Sequence, residues 1–102
     1  MNYKLSSDLD SDFAVPYFLW DEPMTVAELK MKLATASKDE KMRFLGKILR
    51  EARDTDVWKF TSPEFVWQNW AEIEKYLGRR REFWKFLFER WQAEGLIGEK
   101  HS

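Results

Sequence analysis

The chain contains no cysteine, which removes disulfides, thiolate metal sites and thiol catalysis together. Its one histidine, His101, stands next to last, so neither a histidine general base nor a histidine metal site is expected. The four glycines, Gly46, Gly78, Gly95 and Gly98, stand apart from one another and form no cluster to cradle a phosphate. No apolar run approaches the ~18–20 residues of a membrane span. The opening residues are polar and acidic, where a secretory signal would be basic and then apolar. These absences predict a protein of a reducing cytoplasm with no membrane, metal or cofactor. Acid pairs such as Glu72 and Glu74, or Glu82 and Glu89, have the spacing of a solvated helix face with basic neighbours. No nucleophilic triad has its base, so no catalytic residue is assigned and an enzyme is the least supported class.

Aromatic residues are abundant instead, at 17% of the 102 residues with six tryptophans. Each such ring buries ~150–250 Å², so a chain long enough for one domain has the material for one core. The net charge of −1 hides a separation of sign. Up to Glu28 six acids face only Lys4, whereas Arg79, Arg80, Arg81, Lys85 and Arg90 outnumber Glu82 and Glu89 along the last helix. Such separation governs encounter and partner choice, not fold.

Periodicity predicts an all-α fold, a compact bundle of four main helices behind an N-terminal arm. Residues 1–19 read as an acidic, partly ordered arm, 20–98 as the helical domain and 99–102 as a tail. The composition of Met1 to Asp12 is that of a mobile segment, with Phe18, Leu19 and Trp20 anchoring it. Thr25 and Glu28 have capping-box spacing, and Ser37 with Glu40 repeats it. The second helix gathers Met42, Phe44, Leu45, Ile48, Leu49 and Ala52 on one side and Arg43, Lys47, Arg50 and Asp54 on the other. Val57 to Phe60 reads as a loop whose two rings plug the bundle. Ser62-Pro63 starts a third helix as N-cap and first residue. Its apolar face runs through Phe65, Val66, Trp70, Ile73, Tyr76 and Leu77 to Gly78, a left-handed stop. The last helix runs from near Arg79 to Gly95.

That last helix is the most informative segment. Phe83, Trp84, Phe86, Leu87, Phe88 and Trp91 cover ~200° of its circumference, more than the ~100° stripe of one packing face. Either this helix runs through the middle of the bundle, or one flank of it is kept for a partner. Arg90 falls inside the apolar arc between Phe83 and Phe86, and Trp67 lies just outside the apolar face of its own helix. Trp and Arg are the residues most enriched at binding hot spots. The expected partner-binding set is Trp67, Arg79, Arg80, Arg81, Trp84, Phe88, Arg90 and Trp91. The turn at Tyr76 to Arg79 superficially suggests a DNA-reading helix-turn-helix. Glu82 and Glu89 would then face phosphates, and Glu74 occupies the place of a small residue. Arg43, Lys47 and Arg50, with the Arg79 to Arg81 cluster, are the candidates for a nucleic-acid surface.

The strings Leu49-Arg50-Glu51-Ala52-Arg53, Asp56-Val57-Trp58-Lys59-Phe60 and Leu77-Gly78-Arg79-Arg80-Arg81-Glu82-Phe83-Trp84-Lys85-Phe86-Leu87, with the opening Trp20-Asp21-Glu22-Pro23-Met24-Thr25, carry a resemblance. From Trp20 to Leu96 the chain resembles small bacterial proteins encoded immediately upstream of nucleotidyltransferases of the abortive-infection toxin type. The resemblance implies an antitoxin-like or accessory partner of such an enzyme and brings no active-site residue with it. The expected function is non-catalytic protein binding in the bacterial cytoplasm. The alternatives are a tRNA- or DNA-binding accessory and a self-associating protein that buries the spare flank of the last helix in a homodimer.

Overall fold

The computed structural model describes residues 4–99; His101 and most of the expected tail lie outside them. The fold is all-α, with helices α1 (Val26–Thr35), α2 (Lys38–Glu51), α3 (Asp54–Val57), α4 (Pro63–Gln68), α5 (Trp70–Ile73) and α6 (Arg81–Ala93). Short 3-10 turns occupy Tyr17–Leu19, Glu74–Tyr76 and Gly78–Arg80. Two strands of two residues, β1 (Leu5–Ser6) and β2 (Val15–Pro16), pair in parallel with Leu5 opposite Val15. The chain divides into two units between Lys41 and Met42, inside α2.

In the first unit the described part of the acidic arm is folded from the strand pair onward, although Met1 to Asp12, whose first three residues lie outside the described ones, has the composition of a mobile segment. Composition misses this because the order comes from the backbone. Asp8 N–H donates to Ser6 Oγ and Asp10 N–H to Asp8 Oδ1, local turns of the kind that short polar side chains support. Leu9 is buried between them in sequence. The carbonyls of Ala14 and Asp12 then accept from the N–H groups of Val26 and Ala27 at 2.8 and 3.1 Å. These are the first two N–H groups of α1, which have no partner within their own helix. Glu28 N–H is satisfied by Thr25 Oγ1, and Thr25 N–H by Glu28 Oε1, which completes the expected capping box. Val26, Leu29 and Leu33 are buried, as are Phe18 and Leu19. Trp20, expected as an anchor beside them, is 62% exposed.

In the second unit α2 is buried nearly all round, from Met42 to Leu49 with Arg43 half-buried. Gly46 makes this possible. A Cβ on Gly46 would lie 2.4 Å from Tyr76 Cβ, so only glycine admits the Glu74–Tyr76 turn onto that side of α2. The expected third helix starts as predicted, with Ser62 Oγ accepting from Phe65 N–H and Pro63 in first place. It breaks at Asn69, whose side-chain amide and backbone N–H both take the Phe65 carbonyl while ψ opens to 19°. An Asn in mid-helix offers the backbone this competing partner. Gly78, at φ +54, is in the left-handed region and redirects the chain into α6. Gly95 ends α6 at φ +76, with Leu96 N–H donating to the Trp91 carbonyl and Gly95 N–H to that of Gln92. This is a Schellman stop.

The core of this unit is aromatic. The Phe88 ring lies 5.5–6.4 Å from the rings of Trp58, Trp67, Trp70, Trp84 and Trp91. Val57 lies in α3 and Trp58 follows it, so the segment read as a loop opens with a helical turn and places the Trp58 ring in this cluster.

Gly46→Ala is expected to cost about 1–3 kcal/mol, because the added methyl meets a Cβ that no rotamer change moves aside; denaturant unfolding measures it. Hydrogen bonds from Thr25 hold the Glu28 carboxyl below its ordinary pKa. The stabilisation by that charge is present above the unfolded-state pKa and is lost as pH falls through the folded one. Wild type is therefore expected to exceed Glu28→Gln in stability at neutral pH, with the gap closing on acidification through the carboxylate range; thermal melts across that range check it.

Candidate functional site

α6 presents two sides of opposite character. Trp84 and Phe88 are fully buried and Trp91 half-buried on one of them. Phe83 and Phe86 are 41% and 60% exposed on the other, with Arg90 between them by helical angle and exposed as well. An exposed aromatic flank therefore exists, but Trp84 and Phe88 do not belong to it. They lie on the inward side because the core takes its rings from several segments and needs the tryptophans of α6 at its centre. Trp67 is likewise buried at 1% exposure, and its indole N–H donates to Gln92 Oε1 at 2.6 Å. Its expected role at a partner surface is withdrawn, since its ring is stacked on Phe88. Phe83 and Phe86, the residues that form the outward pair, were read only as part of a wide arc. A cation placed between two phenylalanines was the signal that this part of the arc meets water.

The arginines separate by what they touch. Arg80 donates through Nη1 to the Ala52 and Leu49 carbonyls at 2.9 and 3.3 Å and pairs with Asp54 through Nη2. Its guanidinium also lies 5.1 Å from the Phe83 ring and 5.3 Å from the Trp84 ring, a cation–π arrangement. Arg81 pairs with Glu74 at 2.7 Å and with Glu82. The Glu74 carboxylate raises the Arg81 pKa above its already high ordinary value, so this cation is fixed. Both arginines hold the fold together and are poorly placed for the partner role expected of them. Arg79 is exposed. Arg90 Nε donates to Glu94 Oε1 at 3.1 Å, one turn on, with side chains 62% and 49% exposed.

Arg43, Lys47 and Arg50 do not form one exposed basic face. Lys47 is 5% exposed, Arg43 is half-buried with its guanidinium 4.5 Å from the Phe44 ring, and Arg50 donates to the Tyr76 carbonyl at 3.1 Å and to Glu51. These three share their side of α2 with Gly46, where Tyr76 closes on the helix; Arg50 alone of them is exposed. The glycine on a polar helix face was the sequence signal for that closure.

In the first unit, Pro23, Met24, Glu28, Met31, Lys32 and Thr35 line an open groove of about 450 Å³. Met31 is 68% exposed there, and Lys32 reaches Glu40 at 4.0 Å. Among the described residues no group of three or more His, Cys, Asp or Glu is placed to hold a metal ion, and no helix is long and apolar enough to cross a membrane. Comparison with protein-family models, with curated proteins and with solved structures finds no match.

The two arginines give a contrast that stability measurements read. Arg80→Ala is expected to lose about 1–3 kcal/mol, because it strips the Ala52 and Leu49 carbonyls of a charged donor. Arg90→Ala is expected to change stability by no more than about 0.5 kcal/mol, the scale of an exposed one-turn ion pair. Paired denaturant titrations of the two variants test the assignment.

Proposed function

We propose that the protein is a non-catalytic binding module that acts by contacting another protein through the outward side of α6. The observation that carries this reading is the exposure of Phe83 and Phe86 together around Arg90, on a helix whose other side is committed to the core. Two large apolar rings beside a guanidinium have the composition of binding hot spots, and desolvating them gives a partner most of its affinity. The resemblance from Trp20 to Leu96 supplies the partner: a nucleotidyltransferase of the abortive-infection toxin type, restrained by contact in the bacterial cytoplasm. Nucleic-acid binding is the less favoured reading, because Lys47 is buried and Arg80 and Arg81 are engaged within the fold.

Co-expression with the product of the gene immediately downstream tests this directly. The pair is expected to co-purify, and Phe83→Ser with Phe86→Ser is expected to abolish co-purification while the melting temperature of the isolated protein stays within a few degrees. A complex that survives the double substitution would place the interface elsewhere, and a neighbour that is no nucleotidyltransferase would remove the toxin partner.

A further inference from the structure

Resting on the reading that α6 binds protein, the order of residues along its outward side specifies what kind of surface it binds. Phe83, Phe86 and Arg90 recur on α6 at intervals of three and four residues, the spacing that keeps side chains on one seam of a packed helix pair, and Arg79 stands four residues before Phe83 in the exposed 3-10 turn that leads into the helix. The seam is apolar in the middle and cationic at both ends. Arg79 is exposed and has no ion pair among the described residues. At the other end Arg90 uses only Nε towards Glu94, which leaves its two terminal nitrogens to present a forked pair of donors. The Glu94 pair is largely exposed, so a second carboxylate can join or replace it at little cost.

A second copy of this chain does not suit the seam. Packed antiparallel, Arg90 would stand opposite the other copy's Arg79; packed parallel, each arginine would stand opposite itself. Like charges at both ends oppose either arrangement. Glu82 and Glu89, which flank the seam on one side, would face each other in the antiparallel case as well. A nucleic acid suits it no better, since two phenylalanines and two flanking carboxylates sit where phosphates would lie. Carboxylates opposite Arg79 and Arg90, with apolar side chains opposite Phe83 and Phe86, satisfy every position. Arginine and carboxylate also pair in a bidentate geometry that fixes register.

We infer that the outward seam of α6 docks an amphipathic helix of a different protein, one that carries two adjacent apolar anchors with an acidic residue about one turn beyond each. Electrostatic matching of this kind governs recognition and rate, and the rings supply the affinity.

Fluorescence anisotropy with labelled, helix-stabilised peptides tests the inference. One peptide carries Glu, Leu, Leu and Glu at the spacing of the seam, and a second carries Lys, Leu, Leu and Lys; a single-stranded oligonucleotide serves as third probe. The acidic peptide is expected to bind at least about tenfold tighter than the basic one, from two exposed pairs turned from attraction to repulsion. Arg79→Glu with Arg90→Glu is expected to invert that preference, and Phe83→Ser with Phe86→Ser to abolish binding of both peptides. Equal binding of the two peptides, or preference for the basic one, overturns the acidic-partner chemistry but leaves protein binding at this seam standing. No binding of either peptide, tighter binding of the oligonucleotide, or concentration-dependent dimerisation lost in the Phe83 and Phe86 variant overturns the inference altogether. Co-purification with the downstream gene product remains the separate measure of the broader reading.

Discussion

The packing of five tryptophans around Phe88 is the contact on which the second unit depends. Trp58, Trp67, Trp70, Trp84 and Trp91 reach that ring from the segment after α3, from α4, from α5 and from α6 itself. An indole brings a large apolar area and one N–H that needs a partner when buried. Trp84 gives its N–H to the Leu49 carbonyl at 2.9 Å, and Trp67 gives its own to Gln92. The first of these ties α6 to the final turn of α2, where Arg80 donates to the same Leu49 carbonyl and to that of Ala52. The rings therefore fix where α6 lies, and the indole and guanidinium donors fix its rotation. With rotation fixed, Phe83 and Phe86 have no route to the interior.

Much of this was legible in the sequence wherever the signal was local. Thr25 with Glu28, Ser62 with Pro63, and Gly95 each mark a helix end through chemistry that spans only a few residues, and each marks it correctly; Gly78 has the expected left-handed conformation, although α5 has already ended at Ile73. The breaks came from competition between neighbours. Asn69 divides the expected third helix by offering the Phe65 carbonyl a side-chain donor, which periodicity of apolar residues does not register. The extent of order in the arm is illegible for another reason: it rests in part on the carbonyls of Asp12 and Ala14, and composition carries no information about main-chain partners.

The candidate surface was half legible. The width of the apolar arc on α6 correctly implied that part of it meets solvent, but width alone does not say which part. The value of tryptophan at interfaces points it outward, although the same bulk makes it the best material for a core in so small a unit. The arginines show the matching difficulty. Arg79, Arg80 and Arg81 are consecutive and chemically identical, yet one is exposed, one closes the end of α2 and one is held between Glu74 and Glu82. Consecutive positions on a helical turn point about 100° apart, so their surroundings differ even though their sequence context barely does.

The contact between Gly46 and Tyr76 reaches beyond this one chain. Backbone and Cβ approach so closely there that no descendant sequence can place a side chain at the first position while keeping a Cβ-bearing residue at the second in the same geometry. The constraint falls on the first position, whatever Cβ-bearing residue occupies the second. Arg50, which donates to the Tyr76 carbonyl, is bound to the same history, because its partner exists only where the turn can close. A glycine amid an otherwise helix-favouring stretch, an arginine one turn later and an aromatic residue shortly before a glycine-arginine turn form a spaced signature. Divergent relatives could be recognised by it after their surfaces have ceased to look alike.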